Sequence, residues 1–311
     1  MKNVKAHFYL VSLILGGLLF SGCSAPAPAP VPFQVHQAEL LEATALKVME
    51  AGNWKASEQT WAEVARKYAL LDHRDRQAIA LHNQAYSAFR NGKFQSALAL
   101  ASEAASINRQ GSEWWRNQIL LLQIEQKISL ELQEKRINQL LPLSEAEELE
   151  SKHLALWALF MNEYGAGLLS KGLPEEAGAV FSYALQKVGS VEPHLSWALK
   201  SNLAEVAEAL TEYGLALTSW EELLEQAKEL SQREWIATAL AGQGRSLWNL
   251  GQSDEATSIL RRAAWNYRWL GMEEKSSQTF SYLEDCLTNL GDEEALEALQ
   301  HERNAINSKE N

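Results

Sequence analysis

Apolar residues along most of the chain recur at the spacing of an amphipathic helix. From Gln37 onward, hydrophobic side chains lie three and four residues apart, as in the series Leu203, Val206, Ala207 and Leu210. This spacing places them on one face of an α-helix, whereas a half-buried strand would alternate apolar and polar residues. Alanine, leucine, glutamate and glutamine, which favour helices, dominate the same region. The pattern predicts an all-α body.

Glycines interrupt this pattern at regular intervals. The gaps between them are 40, 80, 79 and 40 residues, and each glycine separates two amphipathic segments. Glycine is the residue that most easily takes the left-handed conformation at the end of a helix. Each of the two longer gaps hides one further turn, which we place near Leu132 and at residues 211–214. The pattern predicts seven helix–turn–helix units of about 40 residues, with turns at Gly52, Gly92, Gly172, Gly251 and Gly291.

The segments after the glycines share one small and one large residue. Ala177 and Ala256 lie five residues after a glycine, and Phe181 and Leu260 follow four residues later on the same helical face. Trp220 occupies the equivalent position in the fifth unit. A large side chain beside a small one provides the knob and the hole that closely crossing helices need.

This pattern resembles the tetratricopeptide repeat, a helix–turn–helix unit with a small and a large apolar residue in its second helix. The resemblance covers Gln37 to Ala305 and implies a right-handed helical-repeat solenoid, whose concave wall is made mainly by the first helix of each unit. The standard unit has about 34 residues, and one extra turn in each helix would account for the longer period here. A globular helical bundle is the alternative, but it gives no reason for helix breaks at equal intervals.

The third unit, Ser112–Leu149, fits the repeat least well. Leu132 stands where glycine is expected, and Pro142 is expected to end the second helix early.

The N-terminus has the pattern of a lipoprotein signal. Two lysines precede an apolar stretch over residues 8–20, which is shorter than the ~20 residues of a membrane span. The run Phe20-Ser21-Gly22-Cys23 resembles the lipobox of bacterial lipoproteins, although leucine is commoner at the first of these positions. The resemblance implies that a signal peptide of residues 1–22 is removed and that Cys23 is acylated. An ordinary secretory signal with an incidental cysteine is the alternative.

Residues 23–36 form the predicted linker between the lipid and a repeat domain of residues 37–306. Proline alternates with small residues from 25 to 32, which favours an extended polyproline-type stalk of roughly 25 Å. Ser24 follows the cysteine, whereas many such lipoproteins that stay in the inner membrane have aspartate there. The expected localisation is therefore the outer membrane, with the protein facing the periplasm. A polar tail, residues 307–311, ends the chain.

The charge balance excludes one class of partner. The chain has 28 lysines and arginines against 40 aspartates and glutamates, a net charge of −12. Proteins that bind the phosphate backbone of nucleic acids need a basic surface. We therefore expect no nucleic-acid partner, and we expect membrane attachment to depend on acyl chains, since an acidic surface is repelled by anionic lipid.

The sequence offers little for catalysis or metal binding. No two of its seven histidines lie three to five residues apart, as paired ligands on one helix would. No phosphate-binding loop, nucleophile elbow or zinc-protease motif occurs, and Gly242-Gln243-Gly244 lies in a helical segment, where it indicates close helix packing. Cys286 is expected to be a small buried residue. We expect no cofactor, no metal site and no enzymatic activity; a cell-wall-turnover enzyme is an alternative.

The groove of the expected solenoid is the candidate binding site. Aromatic and arginine side chains in a groove are the usual anchors of peptide recognition. Three of the aromatic residues are core residues instead if the register differs by one position: Tyr86, Phe89 and Trp248. The residues placed on the inner face are His82, Tyr86, Phe89 and Arg90 in the second unit, Asn162 in the fourth, Glu205 and Glu208 in the fifth, and Arg245, Trp248 and Asn249 in the sixth.

A basic and aromatic segment distinguishes the second helix of the sixth unit. Its two tryptophans share a helical face and pack inward, with arginines over their rings, or the segment forms a second docking patch. The residues are Arg261, Arg262, Trp265, Arg268 and Trp269.

These features together favour an interaction protein. The resemblance implies a membrane-anchored periplasmic adaptor that binds a protein or peptide partner in its groove. Such an adaptor serves envelope assembly, as in pilus or secretion machinery, or regulates cell-wall enzymes. The alternative is a self-assembling structural protein whose solenoid ends form homo-oligomers. The charged end from Glu294 to Asn311 is typical of a capping end and argues against open-ended polymerisation.

Overall fold

Fifteen helices make up the part of the chain that the structure describes. The computed structural model describes residues 32–146, 148–189 and 192–307, so the predicted signal peptide, Cys23, residues 24–31 and the tail from residue 308 lie outside it. Within the described residues, short turns join consecutive helices and no strand occurs. The helices are α1 (Phe33–Glu50), α2 (Trp54–Leu70), α3 (Arg74–Arg90), α4 (Phe94–Ile107), α5 (Gly111–Ile128), α6 (Leu130–Ala146), α7 (Leu149–Lys152), α8 (Leu154–Ser170), α9 (Pro174–Val188), α10 (Pro193–Ala209), α11 (Tyr213–Glu229), α12 (Arg233–Asn249), α13 (Ser253–Trp269), α14 (Glu273–Leu290) and α15 (Glu293–Asn307).

Fourteen of these helices form seven consecutive hairpins, which confirms the predicted seven units. Their first helices begin 37 to 43 residues apart, at Phe33, Arg74, Gly111, Leu154, Pro193, Arg233 and Glu273. The single turn α7 is inserted between the third and fourth hairpins. Helix α1 begins four residues before the predicted start of the repeat domain at residue 37, so residues 33–36 of the predicted linker are helical.

Left-handed residues end the first helix of six hairpins. In the second hairpin, the N–H of Gly92 donates to the carbonyl of Phe89 at 3.0 Å, and the N–H of Lys93 donates to that of Ala88 at 2.9 Å. These bonds satisfy carbonyls that the helix end leaves without partners. Thr211, with φ of 62°, takes this position in the fifth hairpin. The five glycines predicted for these turns have φ between 68° and 78°: Gly52, Gly92, Gly172, Gly251 and Gly291.

The third hairpin differs from its prediction. Its turn lies at Ser129, between α5 and α6, and not near Leu132, which is inside α6. Pro142 was predicted to end the second helix, and this prediction is wrong, because α6 continues through it to Ala146. Buried Ile137 and Leu140 hold the helix on the core before the proline, and this packing outweighs the backbone hydrogen bond that proline cannot make.

The predicted large residues pack as knobs, but they fit against glycines and not against the predicted alanines, Ala177 and Ala256. Phe181, Trp220 and Leu260 are completely buried. A Cβ atom on Gly165 would lie 2.5 Å from the Phe181 ring, and one on Gly242 would lie 2.2 Å from the Trp220 ring. Glycines in the first helices therefore provide the holes, which lets the helices cross at close range.

The first helices line the inner side of a curved stack. Each of α3, α5, α8, α10 and α12 contacts the first helix of the next hairpin, that is α5, α8, α10, α12 and α14. Among the described residues, no contact of that extent joins successive second helices. A stack in which one layer touches and the other spreads apart is curved with the touching layer inside. The concave wall is therefore built from the first helices. In the described ranges, no helix is both long and apolar enough to cross a membrane.

Candidate functional site

The predicted groove residues lie on four first helices, α3, α8, α10 and α12. The structure brings some of them together across neighbouring hairpins and uses others for packing.

Arg90 lies at the centre of an aromatic contact at the N-terminal end of the groove. Its guanidinium is 4.4 Å from the centroid of the Trp54 ring and donates to the hydroxyl of Tyr86 at 2.9 Å. Tyr86 meets Trp54 edge to face, with ring centroids 5.8 Å apart. A cation over an aromatic ring is attracted by the electron-rich face. Tyr86 and Arg90 are thus placed together, and Trp54 joins them from the first hairpin.

His82 and Phe89 of the same helix serve packing. His82 Nδ1 is 3.0 Å from Asn117 Oδ1 on α5, and burial lowers the pKa of His82. The Phe89 ring lies 5.9 Å from that of Phe94, which closes the α3–α4 hairpin.

A chain of amides crosses the middle of the wall. Asn202 on α10 donates to Asn162 on α8 at 2.8 Å, and Asn162 donates in turn to Glu163 at 3.3 Å. Gln123 on α5 also donates to Glu163, at 3.0 Å. Burial raises the pKa of Glu163, while these two donors act in the opposite direction. Three successive first helices are therefore linked by side-chain hydrogen bonds at the wall.

Glu208 and Arg245 form a shared polar centre between α10 and α12. Arg245 donates to both carboxylate oxygens of Glu208, at 2.9 and 3.2 Å, and Trp220 Nε1 donates to Glu208 at 2.6 Å. The hydroxyl of Ser246 lies 3.4 Å from the same carboxylate. A bidentate arginine with two further donors engages both oxygens of the carboxylate, Oε1 with three donors and Oε2 with one. Both predicted groove residues are therefore committed to holding two hairpins together.

Glu205, one turn before Glu208, has no such role. Among the described residues, no hydrogen bond or ion pair engages its carboxylate, although it is only partly exposed. Burial raises the pKa of Glu205, and the charge of Arg245 acts against this effect. A carboxylate that is enclosed but without a donor can accept hydrogen bonds from a ligand.

Trp248 and Asn249 end the wall on α12. The Trp248 ring is partly buried against the C-terminal core and meets Tyr282 of α14 with centroids 5.9 Å apart. Asn249 is exposed, and its amide donates to the carbonyl of Arg245 in its own helix.

Two ion pairs at the rim connect distant hairpins. Arg90 lies 3.6 Å from Glu234, and Lys127 lies 3.2 Å from Glu274, 147 residues further along the chain. By contrast, the pair Arg245–Glu208 spans 37 residues, which is one repeat. Each rim ion pair joins a first helix to the first helix four hairpins later, α3 to α12 and α5 to α14. The solenoid therefore curves until its inner edges meet.

The second predicted patch is only partly buried. Trp265 packs on Phe280 at 5.4 Å, but Trp269 is 78% exposed and lies 6.4 Å from the Trp265 ring. Arg268 is 3.3 Å from Glu273, Arg261 is partly buried, and Arg262 is exposed. Inward packing therefore holds for Trp265 and is wrong for Trp269. Beside the latter lies an open hollow of about 310 Å³, lined by Arg233, Ile236, Asn266, Trp269 and Leu270.

Other reactive groups do not form a site. Cys286 is buried, as expected, and burial raises the pKa of its thiol to about 11. In the part of the chain that the structure describes, no three histidine, cysteine, aspartate or glutamate side chains could together hold a metal ion.

Sequence reasoning missed several wall residues. Asn202 is 40 residues after Asn162, so the repeat period itself could have identified it. Lys127, Glu234 and Glu274 carry no such signal, because their pairing depends on how tightly the solenoid curves.

Similar folds occur among solved structures. The apo form of the quorum sensor NprR from B. thuringiensis superposes with a TM-score of 0.65 and 13% identity, over 86% of this chain and 75% of that one. A Rap protein complexed with competence and sporulation factor superposes with a TM-score of 0.59 and 14% identity, over 82% of this chain and 76% of the Rap chain. A signal-transduction ATPase with a tetratricopeptide-repeat sensor from Pyrococcus horikoshii superposes with a TM-score of 0.61 and 14% identity, over 86% of this chain and 41% of the ATPase chain. No family model matches the sequence, and no curated protein matches it significantly. The fold is an all-α, tetratricopeptide-like, right-handed helical-repeat solenoid.

Proposed function

We propose that this chain is a non-catalytic adaptor that binds a segment of a protein partner in the concave groove of the solenoid. The observation that carries the proposal is the composition of the groove wall. Tyr86 on α3, and Asn202 and Glu205 on α10, carry hydroxyl, amide and carboxylate groups on first helices of the concave wall. An extended polypeptide has N–H and C=O groups along its whole length, and such side chains are suited to bind them.

Two of the similar structures support this proposal. The Rap protein was determined as a complex with competence and sporulation factor, and the NprR protein is a quorum sensor. We extend to this chain only the property that a protein of this fold binds another molecule, and we place that binding in the groove.

We further propose that the adaptor is lipid-anchored at the outer membrane, faces the periplasm and serves envelope assembly or the regulation of cell-wall enzymes. The support is the lipobox-like run ending at Cys23, the serine after it and the proline-rich stalk. All of these lie outside the described residues.

Site-specific photo-cross-linking in living cells tests the groove. A photoreactive amino acid is placed at Glu205 on the inner wall or, as the matched control, at Glu222, an exposed residue of the second helix of the same hairpin. We expect a discrete cross-linked adduct from position 205 and none from position 222, because a partner in the groove is within reach of the inner wall only.

Mass spectrometry then identifies the partner in the adduct. Adducts that form at position 222 in equal yield, or a chain that cross-links only to copies of itself, would contradict binding in the groove. The second of these results would support the self-assembling alternative.

The anchor is tested with Cys23→Ser. We expect the wild-type chain to incorporate labelled palmitate and to fractionate with outer membranes, and the variant to do neither, because the acyl chains supply the membrane affinity. Ser24→Asp is expected to keep the label but to move the protein to inner membranes. Membrane association that survives the loss of Cys23 without labelling would refute acylation.

A further inference from the structure

The rim ion pairs share an arrangement that differs from every pair between neighbouring hairpins described above. In both, the cation comes from the last turn of its helix, Arg90 of α3 and Lys127 of α5. In both, the anion comes from the first turn of its helix, Glu234 of α12 and Glu274 of α14. Both join hairpins that are four units apart, so the same contact is made twice along the closing edge.

Each of these four charges also has a favourable interaction that does not depend on its partner across the rim. A cation near the C-terminus of a helix and an anion near the N-terminus both interact favourably with the helix dipole. Arg90 retains its contact with Trp54, and Glu234 lies 3.6 Å from Lys275 as well. Separating the edges therefore leaves no buried charge without compensation.

The rim ion pairs are also exposed enough to be weak. The side chains of Lys127 and Glu274 are 42% and 59% exposed, and those of Arg90 and Glu234 are 23% and 42% exposed. Exposed pairs of this kind contribute about 0–1 kcal/mol each and weaken as salt increases. Two such contacts can close the edges without locking them.

While the pairs are formed, the gap between the edges is occupied by the paired side chains. A helix that enters from the side needs a clear width of about 10–12 Å. An intact rim therefore blocks side-on entry of folded structure into the groove and leaves only the ends open.

We propose that Arg90–Glu234 and Lys127–Glu274 form a reversible electrostatic clasp that closes the solenoid and controls access to its groove. Closure of the clasp does not depend on the proposed partner. Only its consequence for access rests on the proposed function, so the test measures the edge-to-edge distance without any partner.

The test is a distance measurement by double electron–electron resonance on the full-length chain with Cys23→Ser. Spin labels are attached through Asn91→Cys and Arg233→Cys, exposed positions beside the two edges that take no part in the clasp, while native Cys286 is buried. Four chains are compared in this labelled background. The parent carries only the labelling substitutions, and the reversal adds Arg90→Glu and Lys127→Glu. The fourfold swap combines the reversal with Glu234→Arg and Glu274→Lys, and the fourth chain is a control. The control is Lys171→Glu with Lys187→Glu, which changes the net charge equally at pairs one repeat apart.

In the parent, we expect a short-distance population at about 0.1 M salt that declines at about 1 M, where the Debye length falls to about 3 Å. The reversal is expected to remove this population and to lengthen the mean distance by about one helix diameter, ~10 Å. The fourfold swap is expected to restore the short distance, and the control to keep it.

Three outcomes would overturn the clasp. In the first, the distance between the labels changes neither with salt nor in the reversal. In the second, the control lengthens this distance as much as the reversal does. In the third, the fourfold swap fails to restore the short distance. Circular dichroism of each variant checks that the helices are retained, so that a failure to fold is not counted as opening. A failure of the groove cross-linking with intact salt-dependent closure would refute the proposed function and leave the clasp standing.

Discussion

At the scale of single residues, the close approach of the helices depends on glycines with no side chain to displace. Gly242 lies directly under the Trp220 ring, which is completely buried and is held by the hydrogen bond of its Nε1 to Glu208. The ring therefore has no room to move. The sequence Gly242-Gln243-Gly244 predicted close helix packing. It could not show that the side chain packed against Gly242 is Trp220, because Trp220 belongs to the preceding hairpin.

Gly242→Ala is expected to lower the free energy of unfolding by about 1–3 kcal/mol, because the new methyl group would overlap the Trp220 ring. Gly214→Ala is the matched control. Gly214 is also helical, no atom lies within 4 Å of its Cβ position, and alanine is the better helix former by up to about 1 kcal/mol. Urea titration of both variants measures the difference. An equal change in the free energy of unfolding at the two positions would show that the Trp220 ring can move to make room for the methyl group at residue 242.

Glu163 gives a prediction for pH dependence. Burial raises its pKa in the folded protein above the value of about 4.3 in an unfolded chain. The folded state therefore binds this proton more tightly, and stability is lost as pH rises through the interval between the two values. Glu163→Gln removes the titration and can still accept both amide hydrogen bonds.

The free energy of unfolding of Glu163→Gln, relative to wild type, should therefore increase from about pH 4 upward and then level off. Urea titrations over a pH series measure this. Glu222→Gln, at an exposed position, controls for the loss of one negative charge. A difference that stays constant with pH would show that Glu163 titrates normally.

At the scale of helices and turns, the fifth hairpin uses threonine where five others use glycine. Thr211 has φ of 62°, a conformation that costs a β-branched residue roughly 1–2 kcal/mol. The sequence predicted a turn at residues 211–214 from the period alone. It could not show which residue takes the left-handed position, because the one glycine of this segment, Gly214, lies inside helix α11.

Thr211→Gly should stabilise the protein by about 1 kcal/mol, since the turn keeps its hydrogen bonds and loses its strain. The reverse substitution at an equivalent turn, Gly251→Thr, should destabilise it by at least as much. Chemical denaturation of the two variants is the measurement. Destabilisation by Thr211→Gly would mean that the threonine side chain makes a contact worth more than the strain.

At the scale of the whole molecule, the buried residues of the described ranges form four successive clusters and not one core. One cluster joins the first two hairpins, the next joins the second and third, another extends from α5 to α10, and the last covers α10 to α15. A solenoid of this kind is stabilised by contacts between neighbours, so its parts can open separately. The period of the glycines was sufficient to predict this arrangement. The degree of curvature was not predictable, because it arises from small angles between hairpins that no single residue determines.

The third hairpin should open first. Helix α6 contains Pro142, which cannot donate a backbone hydrogen bond, and Leu130, Leu132 and Leu143 of this helix are exposed. Hydrogen exchange followed by mass spectrometry should show faster exchange in residues 130–146 than in the other long helices.

Pro142→Ala should slow exchange in α6. Pro174→Ala should not affect exchange in α9, because proline is well tolerated in the first turn of a helix, where Pro174 lies. Exchange in α6 that is as slow as in α12 would contradict this account.

The meeting of edges four hairpins apart also limits how this protein can change in length. Open solenoids commonly gain or lose whole repeats, because each unit interacts only with its neighbours. Here, deleting one forty-residue unit between α5 and α14 would place α14 three hairpins after α5 instead of four, so Lys127 would lose the carboxylate of Glu274 that now meets it. The loss of a repeat would thus remove a charge contact at the rim as well as the packing of the deleted helices.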